Sequence, residues 1–513
     1  MDVRSLIVSL SVLTACSGVR AAQFYVSPTG NDSAAGTSAA PWKTLQHAAD
    51  VVGPGDRVTA RAGNYAGFYL DTSGTSVAPI EFFAEPGVLV NQPNPVRTDQ
   101  GINLENASWI TIDGFEVSGM NRAGVRTVGV DGSGFATNVT IRNVKSHDNG
   151  YWGIFTGFVN NLLIENNVTY GSVNEHGIYV SNSGDNPTIR NNESYNNRAN
   201  GIHMNGDAEQ GGDGIITGAL VAGNKIYNNG VGGGSGINMD GVQNSRIENN
   251  LLYNNHSSGI SLYRIDGGGG SSGNVVVNNT VLEASNGRWA LNIQSGSTGN
   301  TVRNNILLND HPSRGAVDIS ADSLSGFASD YNAVISRFTT NGGNSNQTLA
   351  QWQASTGQDL HSFVATASAL FANPAGDDYH LKSGSPAINT GTSSFAPPAD
   401  FAGLPRPAGA AIDIGAYEFA ALLGDYNRDG KVNSSDYIVW RNSLTQAVTR
   451  FNGADGSGNG IIDQADYAKW RAGFGGTSTG LGADAEVPEP ASLVLLGIAL
   501  MFARSARMIG GGF

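Results

Sequence analysis

A single cysteine, Cys16, stands among 513 residues. It excludes an internal disulfide framework and any multi-cysteine metal site. Charge is also scarce, at 14% of residues against a background of roughly 25%. Basic residues are the scarcer sign, 29 against 43 acidic, for a net charge of −14. That argues against broad binding of a phosphate backbone, which needs clustered Lys and Arg. It suits an exported protein that binds divalent cations. Neither apolar run at the termini reaches the roughly 20 residues of a stable membrane span. The apolar share of 40% is nevertheless too high for a disordered chain. What abounds is glycine, 70 residues. It follows no G-X-Y period, which excludes collagen, and it suits a chain that turns corners constantly.

Both ends read as processing signals. Residues 1–22 form a signal peptide, with Arg4 before the short apolar run Leu6 to Ala15. Val19-Arg20-Ala21 offers a small-residue cleavage site, and Leu13-Thr14-Ala15-Cys16 offers a lipobox that would lipidate Cys16. The sequence leaves the two open, together with an accidental Cys. At the other end, Val487-Pro488-Glu489-Pro490 precedes the apolar stretch Ala491 to Ala503, then Arg504 and Arg507. This order, over residues 487–513, resembles the PEP-CTERM sorting tail of bacteria. The resemblance implies a secreted or envelope-associated protein with a transient membrane association.

A β-branched residue, a variable residue and Asn recur at Ile141-Arg142-Asn143, Ile164-Glu165-Asn166-Asn167, Ile189-Arg190-Asn191-Asn192, Ile247-Glu248-Asn249-Asn250, Val276-Val277-Asn278-Asn279 and Val302-Arg303-Asn304-Asn305. Val221-Ala222-Gly223-Asn224 is a degenerate copy. Such a period, with insertions of variable length, marks a solenoid. The repeat is too short for helical hairpins. Each copy holds a piece like Gly153-Ile154-Phe155-Thr156, repeated from Gly177, Gly201, Gly236 and Gly259. Alternation within these pieces predicts strands with one buried face, three per coil. Asn at a corner can bond the Asn above and below while taking a left-handed φ.

These repeats resemble those of right-handed parallel β-helix proteins of the polysaccharide lyase type. The stretches from Phe24 to Asp32, Pro41 to Leu45 and Gly55 to Val58 are similar to the entry of such proteins. Ser385-Pro386-Ala387-Ile388 and Asp413-Ile414-Gly415-Ala416-Tyr417-Glu418 resemble their closing segment. The expected all-β domain is 23–420, with one early helix from Trp42 to Val52 at the open end of the stack. The resemblance implies a polysaccharide partner bound along one strand of each coil, taken to be the Gly-Ile strand.

With Ile inward on that strand, outward positions stack as Phe155, Tyr179, His203, Asn238, Ser261 and Asn292. Two residues further on stack Gly157, Ser181, Asn205, Asp240, Tyr263 and Gln294. The loop from Gly206 to Ile216 carries Asp207, Glu209 and Asp213. The candidate catalytic residues are therefore His203, Asp240, Tyr263, Arg264 and His176. Elimination from a uronic acid needs a base, here His203 or Tyr263, and a cation near the carboxylate. Arg264 could neutralise that carboxylate, and Asp207 with Asp240 could hold Ca²⁺. Hydrolysis would need two carboxylates about 5–9 Å apart, with Asp207 or Asp213 reaching Asp240. A lyase is preferred, a glycosidase second, and a non-catalytic glycan-binding or surface scaffold protein stays open.

Residues 425–436 place oxygen side chains at Asp425, Asn427, Asp429, Asn433 and Asp436, with Gly430 at the turn and Lys431 offering its carbonyl. Thirty residues on, Asp455, Ser457, Asn459, Gly460, Ile461 (carbonyl), Asp463 and Asp466 repeat the pattern. A helix start follows each loop, at Tyr437 and at Tyr467. The duplicated pair resembles a dockerin over residues 421–476, joined by a linker, 477–486, to the sorting tail. The resemblance implies two Ca²⁺ ions and a cohesin-like partner contacted through Ser434, Ser435, Gln464 and Ala465.

Overall fold

The computed structural model describes residues 21–130, 134–419, 422–427, 429–448 and 453–476. The signal peptide, apart from Ala21 and Ala22, the linker and the sorting tail lie outside these residues. Among the described residues no helix is long and apolar enough to cross a membrane.

Two β-branched or apolar side chains per short strand are enough to line an interior when the strands stack. They do so here in three parallel sheets. The Asn-motif sheet has 12 strands, from Gln23–Val26 to Ala328–Asp330. The chain then turns into a second 12-stranded sheet, from Gly63–Ala66 to Phe363–Val364. It turns again into the Gly-Ile sheet of 11 strands, from Tyr69–Leu70 to Phe338–Thr339. From Arg57–Ala60 onward the coils visit the three in this order, as in Val139–Arg142, Lys145–His147 and Trp152–Gly157. The result is the parallel β-helix that the repeats predict. Its core is a continuous column that includes Ile112, Ile141, Ile164, Ile189, Val221, Ile247, Val276 and Val302.

The paired asparagines divide the corner work. The first position takes the left-handed turn, as Asn166, Asn191, Asn249, Asn278 and Asn304 of the pairs and the single Asn143 do at φ 52–56°; Gly223 replaces it at φ 64°. The second points inward and builds the ladder. The Asn167 N–H and side-chain amide both donate to Asn192 Oδ1, at 3.0 and 2.9 Å. The same pair of bonds repeats from Asn192 to Asn224, Asn224 to Asn250, Asn250 to Asn279, and Asn279 to Asn305.

Gly153, Gly177, Gly201, Gly236 and Gly259 open the Gly-Ile strands because a side chain would collide there. A Cβ at Gly201 would lie 2.4 Å from the Ile226 side chain, and one at Gly177 would lie 2.2 Å from Ser194 Oγ.

The early helix spans Leu45–Val51 rather than starting at Trp42, because the Thr44 hydroxyl accepts the His47 N–H and sets the N-cap there. Trp42 instead bridges Val26 and stacks on Phe24 at 4.5 Å. The last parallel strand is Phe363–Val364, well before residue 420. A capped helix, Leu349–Thr356, sends Trp352 into the core just before it. Segments 391–403 and 414–417 belong to the solenoid unit. Asn304, for example, pairs its carboxamide with the Thr392 backbone in both directions.

The second compact unit contains 367–390, 404–413 and the chain from Glu418 onward. Its described part holds an antiparallel hairpin, Phe371–Asn373 with Asp378–Leu381, and a buried Arg406–Glu418 ion pair. It also holds two helices, Ser434–Asn442 and Gln464–Gly473. Each helix opens with a capping box, Asn433 with Asp436 and Asp463 with Asp466. The Trp440 indole donates to the Asp463 carbonyl, and the Trp470 indole to the Asn433 carbonyl, both at 2.8 Å. This reciprocal pair is the structural form of the sequence duplication.

Candidate functional site

The Gly-Ile sheet sets its outward residues in the predicted order. Phe155, Tyr179, His203, Asn238, Ser261 and Asn292 are successive register partners. Gly157, Ser181, Asn205, Asp240 and Tyr263 form the second row. Gln294 lies just past the strand Leu291–Ile293. Tyr179 stacks on His203 at 4.7 Å and 10°, and Phe155 meets Tyr179 edge-on at 5.3 Å. Trp152 extends this aromatic strip, 4.5 Å from Phe155, with its indole N–H on Glu175 at 2.7 Å.

His176 lies just ahead of Gly177 and is buried. Its Nε2 is 2.9 Å from His203 Nδ1, so two of the predicted residues do meet. Burial holds His203 down to about 3. Burial, and then the neighbouring His203, hold His176 well below the usual imidazole range. Both rings are neutral at pH 7. Tyr179 is pushed up to about 12 by burial. Tyr263 is raised by burial and by Asp240. Both phenols therefore keep their protons at neutral pH.

Asp240 has a different role from the one its ladder position suggests. Its carboxylate accepts the Ile265 N–H on both oxygens, the Asp266 N–H and the Gly267 N–H, all at 2.9–3.0 Å. A carboxylate offers about four acceptor positions, and three N–H groups, that of Ile265 shared between both oxygens, engage them. Asp240 thus pins the Gly-rich loop by accepting its backbone N–H groups. The acidic neighbour of Asp207 is Asp266: burial, then Asp266, raise the Asp207 pKa. The Asn205 amide donates to Asp266 at 3.3 Å. The loops 206–216 and 264–270 interlock through Ala208 N–H to Asp266 O and Gly268 N–H to Gly214 O. Arg264 is exposed on the second of these loops. Sequence reasoning missed Asp266; its signal was an acid two residues after Arg264 at the mouth of a Gly-rich turn.

In the second unit, the Asp425 oxygens accept N–H from Asp429 and Gly430, and those of Asp436 from Asn427 and Asn433. Asp455 accepts from Gly458, Asn459 and Gly460, and Asp466 from Ser457 and Asp463. The two loops have the same wiring. Asp436, Asp455 and Asp466 are almost fully buried. Burial, then Asp436 and Asp429, raise the Asp425 pKa. Among the described residues no three His, Cys, Asp or Glu side chains converge in ligating geometry. The donor set is nevertheless all oxygen, and its crowded carboxylates fit a hard cation.

Residues 24–261 match the family described as the Pel9A-like right-handed β-helix region. Residues 486–507 match the PEP-CTERM protein-sorting motif. The solved structure of pectate lyase Pel9A superposes with a TM-score of 0.53 at 18% identity, covering 78% of this chain and 97% of that one. The fold is a right-handed parallel β-helix. The chain is also 29% identical over 126 residues to a mannuronan C5-epimerase of Pseudomonas syringae pv. tomato. That match spans 25% of this chain and about a fifth of the epimerase, 19%. The sorting motif points to export from the cytoplasm.

Proposed function

We propose that this is an exported, polysaccharide-acting β-helix protein whose glycan lies along the Gly-Ile sheet. The observation that carries the reading is the continuous strip of Trp152, Phe155, Tyr179 and His203, flanked by Asn205, Asp207, Asp266 and Arg264. Sugar rings stack on such aromatic surface, and the polar wall fixes their register. The substrate class is an acidic polysaccharide and the reaction β-elimination. Arg264 would bind the uronate carboxylate. Asp207 and Asp266 are further acids available for a cation, and Tyr179 or Tyr263 would act as the base once its phenol gives up the proton it holds at neutral pH. Hydrolysis fits less well, because both Asp240 oxygens are engaged by the backbone of 265–267. A non-catalytic glycan-binding role is the second reading, favoured by the protonated phenols, which leave no ionised tyrosine at neutral pH. Alginate, pectate and glycosaminoglycans should be assayed for the ultraviolet absorbance of unsaturated uronates. Growth of that band supports the lyase; binding without it supports the second reading; neither removes the proposal.

The 421–476 segment we read as a dockerin-like module. One ion would be held by Asp425, Asn427, Asp429, the Lys431 carbonyl, Asn433 and Asp436. The other would be held by Asp455, Ser457, Asn459, the Ile461 carbonyl, Asp463 and Asp466. Calcium supplies counter-charge that lets the buried carboxylates coexist. The exposed helix starts at Ser434–Ser435 and Gln464–Ala465 are the docking face for a cohesin-like partner. Pull-down of such a partner with calcium, lost on chelation, tests the reading.

A further inference from the structure

The histidine pair on the groove face has a fixed direction. The Asn200 backbone N–H, which can only donate, reaches His176 Nδ1 at 3.2 Å, and its side-chain amide reaches the same atom at 3.1 Å. His176 Nδ1 therefore carries the lone pair, and Nε2 carries the proton. That proton faces His203 Nδ1, 2.9 Å away, so His203 Nδ1 accepts. The remaining nitrogen, His203 Nε2, must then bear hydrogen. It is shielded from solvent and meets no acceptor among the described residues. Asn238, the register partner of His203 on the next coil, has a shielded Oδ1 that meets no donor. Two orphaned groups of opposite sense thus sit on adjacent coils of one face. Leaving such groups without a partner is unfavourable.

We infer that His176 is a positioning residue that locks His203 as an Nε2–H donor, and that His203 and Asn238 together receive one sugar hydroxyl. A hydroxyl accepts from one group and donates to the other. Two bonds of about 2.9 Å meeting at a tetrahedral oxygen span about 4.7 Å, close to the ~4.8 Å between stacked strands. A carboxylate would satisfy His203 and be repelled by the Asn238 oxygen. The uronate charge therefore belongs elsewhere on the groove, and His203 is a neutral donor rather than the base. This inference rests on the glycan-binding reading of the same face.

The full-length protein, with ¹⁵N-labelled histidine, tests the lock by its ring nitrogen shifts at pH 7. Both rings should be neutral Nε2–H tautomers. His176→Leu should leave His203 mixed between tautomers, and His176→Gln, whose amide can still donate, should restore it. A protonated ring, or a His203 spectrum indifferent to His176→Leu, overturns the lock. The hydroxyl is tested by affinity electrophoresis on alginate and on carboxyl-reduced alginate. His203→Phe keeps the stacking ring, and Asn238→Leu keeps the volume. Each should weaken binding of both polymers roughly tenfold. A loss confined to the charged polymer assigns the site to a carboxylate and overturns the proposal. Unchanged binding means a bridging water only, and overturns it too. A wild-type protein that binds neither polymer overturns the glycan reading and the hydroxyl with it, while the spectra still decide the lock.

Discussion

Glu283 closes the strand Thr280–Glu283 with both carboxyl oxygens shielded and without a partner among the described residues. Burial raises its pKa well above the usual carboxylate range, so the folded protein holds the acid neutral. The unfolded chain ionises near pH 4.3. Stability is therefore full below that pH and is lost as pH rises toward the folded pKa. The slope is about 1.4 kcal/mol per pH unit while only the unfolded state is ionised. Glu283→Gln should remove this slope, giving a variant whose melting temperature exceeds the wild type at pH 7 and converges with it near pH 4. Parallel curves across that range would refute the assignment. Nothing in the sequence marks Glu283, because its burial depends on Gly259 one coil earlier, where a Cβ would come within 2.9 Å of its Oε1.

At the scale of the coil, the two asparagines of each pair should respond oppositely to mutation. Asn224→Ala takes the acceptor from the Asn192 backbone and side-chain N–H groups, both buried, and should cost about 2–5 kcal/mol in urea unfolding. Asn191→Gly keeps the left-handed turn and should change stability by less than about 0.5 kcal/mol. Equal effects would refute the division of labour. The coil itself was legible, because repeating Ile-x-Asn and Gly-Ile pieces fix strand faces and register; Tyr179 beside His203 and Asn205 beside Asp240 follow from counting. The role of Asp240 was not legible. Alternation places it outward, and only the folded loop 265–267 brings three N–H groups onto it. The helix start at Thr44 was missed for the same reason, since local capping overrides composition.

Across the molecule, the reciprocal tryptophan bonds tie both loop–helix halves of the second unit into one object. Trp440 and Trp470 are each buried against the other half, so calcium loss from either loop should loosen both. Chelation should red-shift tryptophan emission and lower the helical circular dichroism signal, with calcium restoring both. Asp425→Ala should require at least tenfold more calcium for the same signal. The strand signal of the solenoid should persist throughout. A chelator-insensitive spectrum would refute the calcium assignment, and a simultaneous loss of strand signal would refute its confinement to this unit.

The inward asparagines also give the stack a polarity. Each ladder asparagine passes its backbone N–H and one side-chain N–H to the following member and returns the other to a carbonyl of the preceding coil, until Asn332 gives its backbone N–H to Ser362 Oγ and a side-chain N–H to Asp359 Oδ1. An extra copy inserted anywhere before that terminus would find both its giving and its receiving side already matched. Such an architecture can lengthen by gene duplication without redesigning its neighbours, and the same serine–aspartate stop would serve a longer array as well as this one.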